Sequence, residues 1–293
     1  DFYYWLAAFD LVGLQTEADV ARCLESYRAH RAGEMLFDGC LKYHEDVFEV
    51  RSFPIGIDGE TFTSLAAKPP PHDPVHIRDD TKLIIGVDRL DYSKGIPHRV
   101  RGFGKWLETR SPDTPRATLI QITPPSRESV NAYKDIAREL EALVGHLNGR
   151  YADLDWTPIR LIERPLPREV IAPLYRMAHV ALVTPLADGM NLVAKEYVAA
   201  QDPEDPGVLI LSRSAGAAEQ MTEALLVNPH DSEEVAEAIQ QALLMPLAER
   251  RARHAALMQV VRETDIFDWG ETFLERLNGI DRKTLLAMAS GRS

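Results

Sequence analysis

Leu83-Ile84-Ile85-Gly86-Val87-Asp88-Arg89-Leu90-Asp91-Tyr92-Ser93-Lys94-Gly95-Ile96-Pro97 is the stretch whose reading decides the fold. Residues 83–87 are a short continuous apolar run, the pattern of a strand buried on both faces of a parallel sheet. A polar loop follows and closes at Gly95. Pro97 then opens a helix-period segment, 97–109. This strand, loop and helix form one unit of an α/β sheet, and the unit recurs downstream. Strands are expected at 117–122, 159–162, 180–183 and 208–211, with helices at 130–147, 168–177, 192–201 and 215–221 after them. Regular strand–helix alternation with short polar loops predicts a doubly wound parallel α/β domain.

Upstream, 11–14 and 47–50 read as strands and 17–30 as a helix, leading to Phe53-Pro54-Ile55-Gly56. Lys68-Pro69-Pro70-Pro71-His72-Asp73-Pro74 is proline-rich and polar, a stiff surface connector and the best boundary candidate from composition. From Ser232 to about Ile280 the tail reads as helical.

The 293 residues are 45% hydrophobic and 27% charged, enough apolar material for one large or two ordinary domains. No run reaches membrane-span length, so a membrane partner is not expected. The start, DFYYWLAAFD, lacks both an initiator Met and the basic region of a signal peptide. Cys23 and Cys40 have no metal spacing and read as buried core thiols of a cytoplasmic protein. A net charge of −12 argues against nucleic-acid binding. A phosphorylated ligand would have to be held by a few placed Arg and Lys against this global field. A homo-oligomer is left open.

Doubly wound sheets bind ligands beyond the carboxyl ends of their strands, so the loops there are the candidate sites. In 88–95, Arg89 and Lys94 could converge on a diphosphate. Alternatively, both cations pair with Asp88 and Asp91 on a solvated loop. In Thr184-Pro185-Leu186-Ala187-Asp188-Gly189-Met190-Asn191-Leu192-Val193-Ala194-Lys195-Glu196, a buried strand runs through a glycine turn into a helix. The helix N-terminus offers free amides to an anion, and Glu196 on the first turn could accept bonds from ribose hydroxyls. The plainer alternative makes Asp188 or Asn191 an ordinary N-cap. Arg127, in the Pro124-Pro125-Ser126-Arg127 loop, could contact a phosphate or be a surface charge. Asp153-Leu154-Asp155 has the D-x-D form of some metal-dependent transferases, but it is too short to carry a metal site alone. Metal, P-loop, nucleophile-elbow and dinucleotide fingerprints are missing.

At these loops the chain resembles the trehalose-6-phosphate synthase family. The likeness rests on Val87–Gly95, Gln121-Ile122 with Ser126-Arg127, Leu147-Asn148-Gly149-Arg150-Tyr151, the run from Val183 to Gln201, Gly207–Ala218 and Ala224–Pro229, in order and spacing. It extends from about Leu11 to Leu277. The resemblance implies a GT-B fold, two facing Rossmann-like domains with the donor bound mainly to the second. Residues 1–56 would be the C-terminal remnant of the N-terminal acceptor domain. Residues 57–267 would be the donor-nucleotide domain, and 268–293 a C-terminal helix crossing back, with Trp269 to Leu277 packed on the first domain.

The reaction implied is transfer of glucose from UDP-glucose to glucose-6-phosphate with retention, giving α,α-trehalose 6-phosphate, with no metal or other cofactor. Arg89, Lys94 and Asp188 would be catalytic. Arg89 and Lys94 would hold the diphosphate and stabilise the leaving group. Asp188 with the Gly189, Met190, Asn191 and Leu192 backbone would bind glucose hydroxyls and phosphate, and Glu196 the ribose. Leu166 and Ile171 fall at the uracil pocket, and Arg127 would reach the acceptor. Front-side attack assisted by the departing phosphate needs no carboxylate nucleophile; a preorganised cationic clamp supplies the rate enhancement. A glucosylglycerol-phosphate synthase, or a truncated non-catalytic UDP-sugar-binding module, are the alternatives.

The chain departs from the family in two places. Ala187 stands where the family usually has Arg. The N-terminal glycine loop and the H-D-Y-H-L and H-I-P-F-P segments have no counterpart, so the resemblance implies that an N-terminal portion is missing.

Overall fold

The computed structural model describes residues 2–37, 39–69, 80–125, 131–280 and 285. The chain divides into two compact units, Asp1–Gly56 with Thr264–Ser293 and Ile57–Glu263.

The first unit runs α1 (Phe2–Ala7), β1 (Leu11–Leu14), α2 (Glu17–Ala29), β2 (Glu34–Met35), β3 (Cys40–Tyr43) and β4 (Asp46–Ser52). Its sheet has the order β1-β4-β3-β2, with β1 parallel to β4 and the other pairs antiparallel. Thr16 caps α2 by accepting from the Asp19 amide at 3.0 Å. Leu6, Val12, Val20, Tyr27, Leu41, Phe48 and Val50 form the core. Cys40 is buried as expected, but Cys23 is only half-buried, because it lies at the flank of that core.

The second unit contains α3 (Gly59–Ala66), β5 (Thr81–Val87), α4 (Ile96–Thr109), β6 (Arg116–Ile122), α5 (Asn131–Tyr151), β7 (Ile159–Ile162), α6 (Arg168–Met177), β8 (Val180–Val183), α7 (Leu192–Ala200), β9 (Val208–Ser212), β10 (Leu225–Val227), α8 (Ser232–Leu244) and α9 (Leu247–Glu263). All five strand pairs are parallel, in the order β10-β9-β8-β5-β6-β7. Within the unit this is the doubly wound order in which the first and fourth strands lie side by side. Both faces of the sheet are buried. Ile84, Leu119, Leu182 and Ile210 join Val100, Phe103, Trp106, Val235 and Ile239 of α4 and α8, while the alternate residues Leu83, Ile85, Ile120, Ala181 and Val183 are buried as well. Each of the buried Leu, Ile, Val and Phe side chains contributes about 1.5–3 kcal/mol by leaving water.

The structure differs from the sequence reading in several places. Residues 215–221 are no helix; only Gly216–Glu219 makes a 3-10 turn, because its amides bond elsewhere. The helical tail is three helices, interrupted at Pro246 and again where Asp265 caps the last by accepting from Phe267 and Asp268. That last helix, α10 (Ile266–Asn278), belongs to the first unit. Trp269 Nε1 donates to Phe53 O at 3.0 Å, Phe273 packs edge-on against Phe53, and Arg276 grips the buried Glu49 through two bonds of 2.7 Å. The proline-rich stretch lies within the span of the second unit, not at its edge, and 70–74 fall outside the described residues. Among the described residues no helix is long and apolar enough to cross a membrane.

Candidate functional site

In a sheet of this order, the strand connections diverge to opposite faces between β5 and β8, leaving a crevice beyond their carboxyl ends. The loop leaving β5 is 88–95 and the loop leaving β8 is 184–191. The two candidate loops are therefore neighbours, a fact that sequence separation conceals.

Backbone contacts lock them together. Ser93 O accepts from Leu186 N at 2.7 Å and from Ala187 N at 3.2 Å. Gly95 adopts φ 62°, and a Cβ there would meet Leu186 Cγ at 2.9 Å and Thr184 O at 3.0 Å, so both the turn and the close approach require glycine. Asp91 shapes the turn by accepting from Ser93 N at 3.0 Å and from Tyr133 Oη at 3.2 Å. Burial would raise its carboxyl, but these bonds and the Lys94 charge bring it below the usual range. The loop after β9 completes the floor, since Asp188 N bonds Ser214 O, Gly216 N bonds Asp188 O and Ala217 N bonds Met190 O.

The charged side chains differ from the solvated-pair alternative. Lys94 Nζ pairs with Asp188, both half-buried, rather than with Asp88 or Asp91. Asn191 Nδ2 donates to the same Asp188 oxygen at 3.0 Å. Arg89 is exposed and makes no ion pair with a described residue. Asp88 is taken by Arg99. The capping alternative also gives way. Asn191 sits at the N-cap of α7 with φ 72° and makes no side-chain capping bond, and its Oδ1 is buried without a partner. Among the described residues the amides of Gly189, Leu192 and Val193 have no backbone acceptor. Among the described residues, the two loops thus carry an exposed arginine without an ion-pair partner, a lysine held by a carboxylate, and helix-terminal amides without a backbone acceptor, groups suited to an anion.

Glu196 is the fifth residue of α7, one turn beyond Leu192 and so past the first turn on which the sequence reading put it. Burial pushes it up to about 7, against the Arg168 charge and the nearby Tyr175 hydroxyl. Tyr175 is itself fully buried, and among the described residues its Oη has no partner at hydrogen-bond geometry. Leu166 precedes α6 and Ile171 lies in its first turn, both half-buried; α6 also carries Arg168 and Tyr175, so its start faces the Glu196 side of α7. Arg127, with Ser126, lies outside the described residues. In the D-x-D stretch, Asp153 and Asp155 both pair with Arg116, at 3.6 and 3.7 Å, and Asp153 closes a turn with Trp156. Among the described residues no group of three or more His, Cys, Asp or Glu could hold a metal ion. Sequence reasoning passed over Arg99, Arg168 and Tyr175. The signal for Arg99 was present, a charge on the otherwise apolar stripe Ile96, Val100, Phe103 and Leu107.

Comparison with known proteins adds to this geometry. The family model for glycosyltransferase family 20 matches residues 5–279. The chain is 44% identical over 280 residues to the trehalose-6-phosphate synthase of Sodalis glossinidius, covering 95% of this chain and 60% of that protein. To the trehalose-6-phosphate synthase of Enterobacter sp. (strain 638) it is 46% identical over 278 residues, covering 93% and 58%. Among solved structures it superposes on the E. coli protein bound with UDP-2-fluoro glucose at TM-score 0.92 and 40% identity, over 95% of this chain and 63% of that one. The UDP-forming α,α-trehalose-phosphate synthase of Burkholderia xenovorans in complex with glucose-6-phosphate gives 0.89 and 45%, over 94% and 63%. The chain thus spans about 60% of the length of the curated relatives it matches. The match of the family model to residues 5–279, nearly the whole chain, establishes that this chain belongs to glycosyltransferase family 20.

Proposed function

We propose that this chain supplies the donor-binding part of a retaining glycosyltransferase that moves glucose from UDP-glucose to glucose-6-phosphate, forming α,α-trehalose 6-phosphate. The observation that supports the reading is the joining of loops 88–95 and 184–191 beyond β5 and β8, through the Ser93 backbone bonds and the Lys94–Asp188 pair. Arg89 and Lys94 bind the diphosphate. As the glycosidic bond to phosphate breaks, negative charge grows on the leaving oxygens, and fixed cations and amides favour that charge without reorganisation. Asp188, relieved of Lys94, accepts from glucose hydroxyls, with the Gly189–Leu192 backbone beside it. Glu196 receives the ribose hydroxyls, and Leu166 and Ile171 bound the base. Arg127 contributes to the acceptor phosphate. Relatives of the same family carrying a UDP-sugar analogue and glucose-6-phosphate support this choice of substrates.

Titration of the chain with UDP and UDP-glucose by calorimetry tests the reading. Saturable binding is expected, with Arg89→Ala weakening UDP by about 10- to 100-fold, the value of one charge-assisted contact. Equal affinity in the wild type and Arg89→Ala would remove the diphosphate assignment.

A further inference from the structure

Beneath the two loops lies a charged group that touches neither solvent nor the crevice. Arg99, on the first turn of α4, is 0% exposed. Its guanidinium spends its donors on three different strand ends: Nη2 on Asp88 Oδ2 at 2.6 Å, Nη1 on Gln121 Oε1 at 3.2 Å, and Nε on Thr184 Oγ1 at 3.1 Å. Asp88 and Thr184 directly follow β5 and β8, the two strands that flank the crevice, and Gln121 is the penultimate residue of β6, the neighbour of β5 on its other side. Asp88 opens the loop bearing Arg89 and Lys94, and Thr184 opens the loop bearing Asp188. Gly86 makes room for the network, since a Cβ there would come 2.5 Å from Gln121 Oε1 and 2.8 Å from Arg99 Nη1.

We infer that Arg99 is a positioning residue for the diphosphate clamp, fixing the spacing between the two loops that carry the anion-binding groups. The inference rests on the donor-site reading above. A planar guanidinium with donors in fixed directions can tie three strand ends at set angles, which a lysine ammonium at the same place cannot do. Burial raises Asp88, and the Arg99 charge and hydrogen bond oppose that rise, so Arg99 compensates the buried carboxyl at the loop's first residue while the Asp88 amide is held by Ile122 O at 3.1 Å. The backbone bonds from Ser93 O join the loops above the network.

The test is calorimetric titration of UDP and of uridine into the 293-residue chain and into its Arg89→Ala, Arg99→Lys and Thr184→Val variants. Uridine lacks the phosphates, so a positioning role predicts a split between the two ligands that a general loss of structure does not. With folded protein, Arg99→Lys should weaken UDP about tenfold and Thr184→Val about threefold, each leaving uridine affinity unchanged. If Arg99→Lys fails to fold, Thr184→Val decides alone. Unchanged UDP affinity in Thr184→Val, or a parallel fall for UDP and uridine, overturns the inference. If Arg89→Ala leaves UDP binding intact, the donor-site reading fails first and this inference falls with it. If Arg89→Ala weakens UDP but the other two variants do not, only the inference is lost.

Discussion

Glu196, the residue proposed for the ribose, is held at a cost to the free chain. Its folded carboxyl is pushed up from 4.5 to about 7 by burial, only partly offset by the Arg168 charge. The sign follows directly. A raised folded pKa means that the folded chain holds a proton which the unfolded chain releases, so this stability is full below 4.5 and is lost as pH rises through about 7. Ribose hydroxyls delivered to the carboxylate would restore the hydrogen bonds that burial removes. Glu196→Gln keeps the shape and removes the charge. Urea denaturation should find it more stable than wild type by about 2–3 kcal/mol at about pH 8, with the two curves converging towards pH 4.5, while its uridine affinity falls. A variant equally stable at both pH values would show that Glu196 is ionised without penalty. Ala187 gives the opposite lesson. Its side chain is exposed, and only its amide serves the site through Ser93 O, a contact that any residue but proline supplies. The departure from the family's usual Arg therefore leaves the loop-to-loop bonding intact.

At the scale of elements, the crevice depends on a short seam. The β5–β8 ladder pairs only Ile84 with Val180 and Ile85 with Ala181. His179 lengthens it by one step: its amide donates to Leu83 O at 2.8 Å, and its Nδ1 accepts from Leu83 N at 3.1 Å. Burial first, and then the Lys82 charge, push this imidazole down to about 4, which keeps Nδ1 free to accept. A depressed folded pKa gives stability that is full above 6.5 and lost as pH falls towards 4. His179→Ala leaves the Leu83 amide without that partner and should lower stability by about 1–3 kcal/mol at about pH 7. The deficit against wild type should narrow in acid, as followed by urea unfolding at both ends of the window; a constant deficit would assign it to packing alone. The sequence made the elements legible where periodicity was long and pure, as in Leu83–Val87 and the amphipathic α4. It could not show that 88–95 and 184–191 meet, because adjacency of the first and fourth strands is a property of the crossover, not of either segment. The hairpin of β2 and β3 is too short and too polar at Glu34 and Lys42 to display a period. The segment 215–221 has helical composition but gives its Gly216 and Ala217 amides to Asp188 and Met190, so tertiary bonding overrides propensity. Arg99 was legible as a charge on an apolar stripe, yet its three partners lie on separate strands, out of reach of any local pattern.

For the whole molecule, the question is which part of the chain is sufficient for the nucleotide. The large core joins side chains from Ile84 to Met245, all within Ile57–Glu263. The core of the first unit joins side chains from Leu6 to Val50. Every residue assigned to the donor also lies in the second unit: Arg89 and Lys94 after β5, Leu166 and Ile171 at the start of α6, Asp188 to Leu192 after β8, and Glu196 in α7. The Arg99 network and the Ser93 bonds lie there too. A unit with its own core and all the residues proposed for the donor meets the physical requirements of an independent domain. The fragment 57–263 is accordingly expected to unfold in one cooperative transition and to bind UDP within about threefold of the full chain. Circular dichroism melting and calorimetry of the two polypeptides side by side check this. Cooperative folding with UDP affinity lost would mean that the nucleotide site takes a contact from Asp1–Gly56 or Thr264–Ser293. Loss of cooperative folding itself would mean that the second core is not sufficient, and that the two units share the energetics that their separate cores suggest they divide.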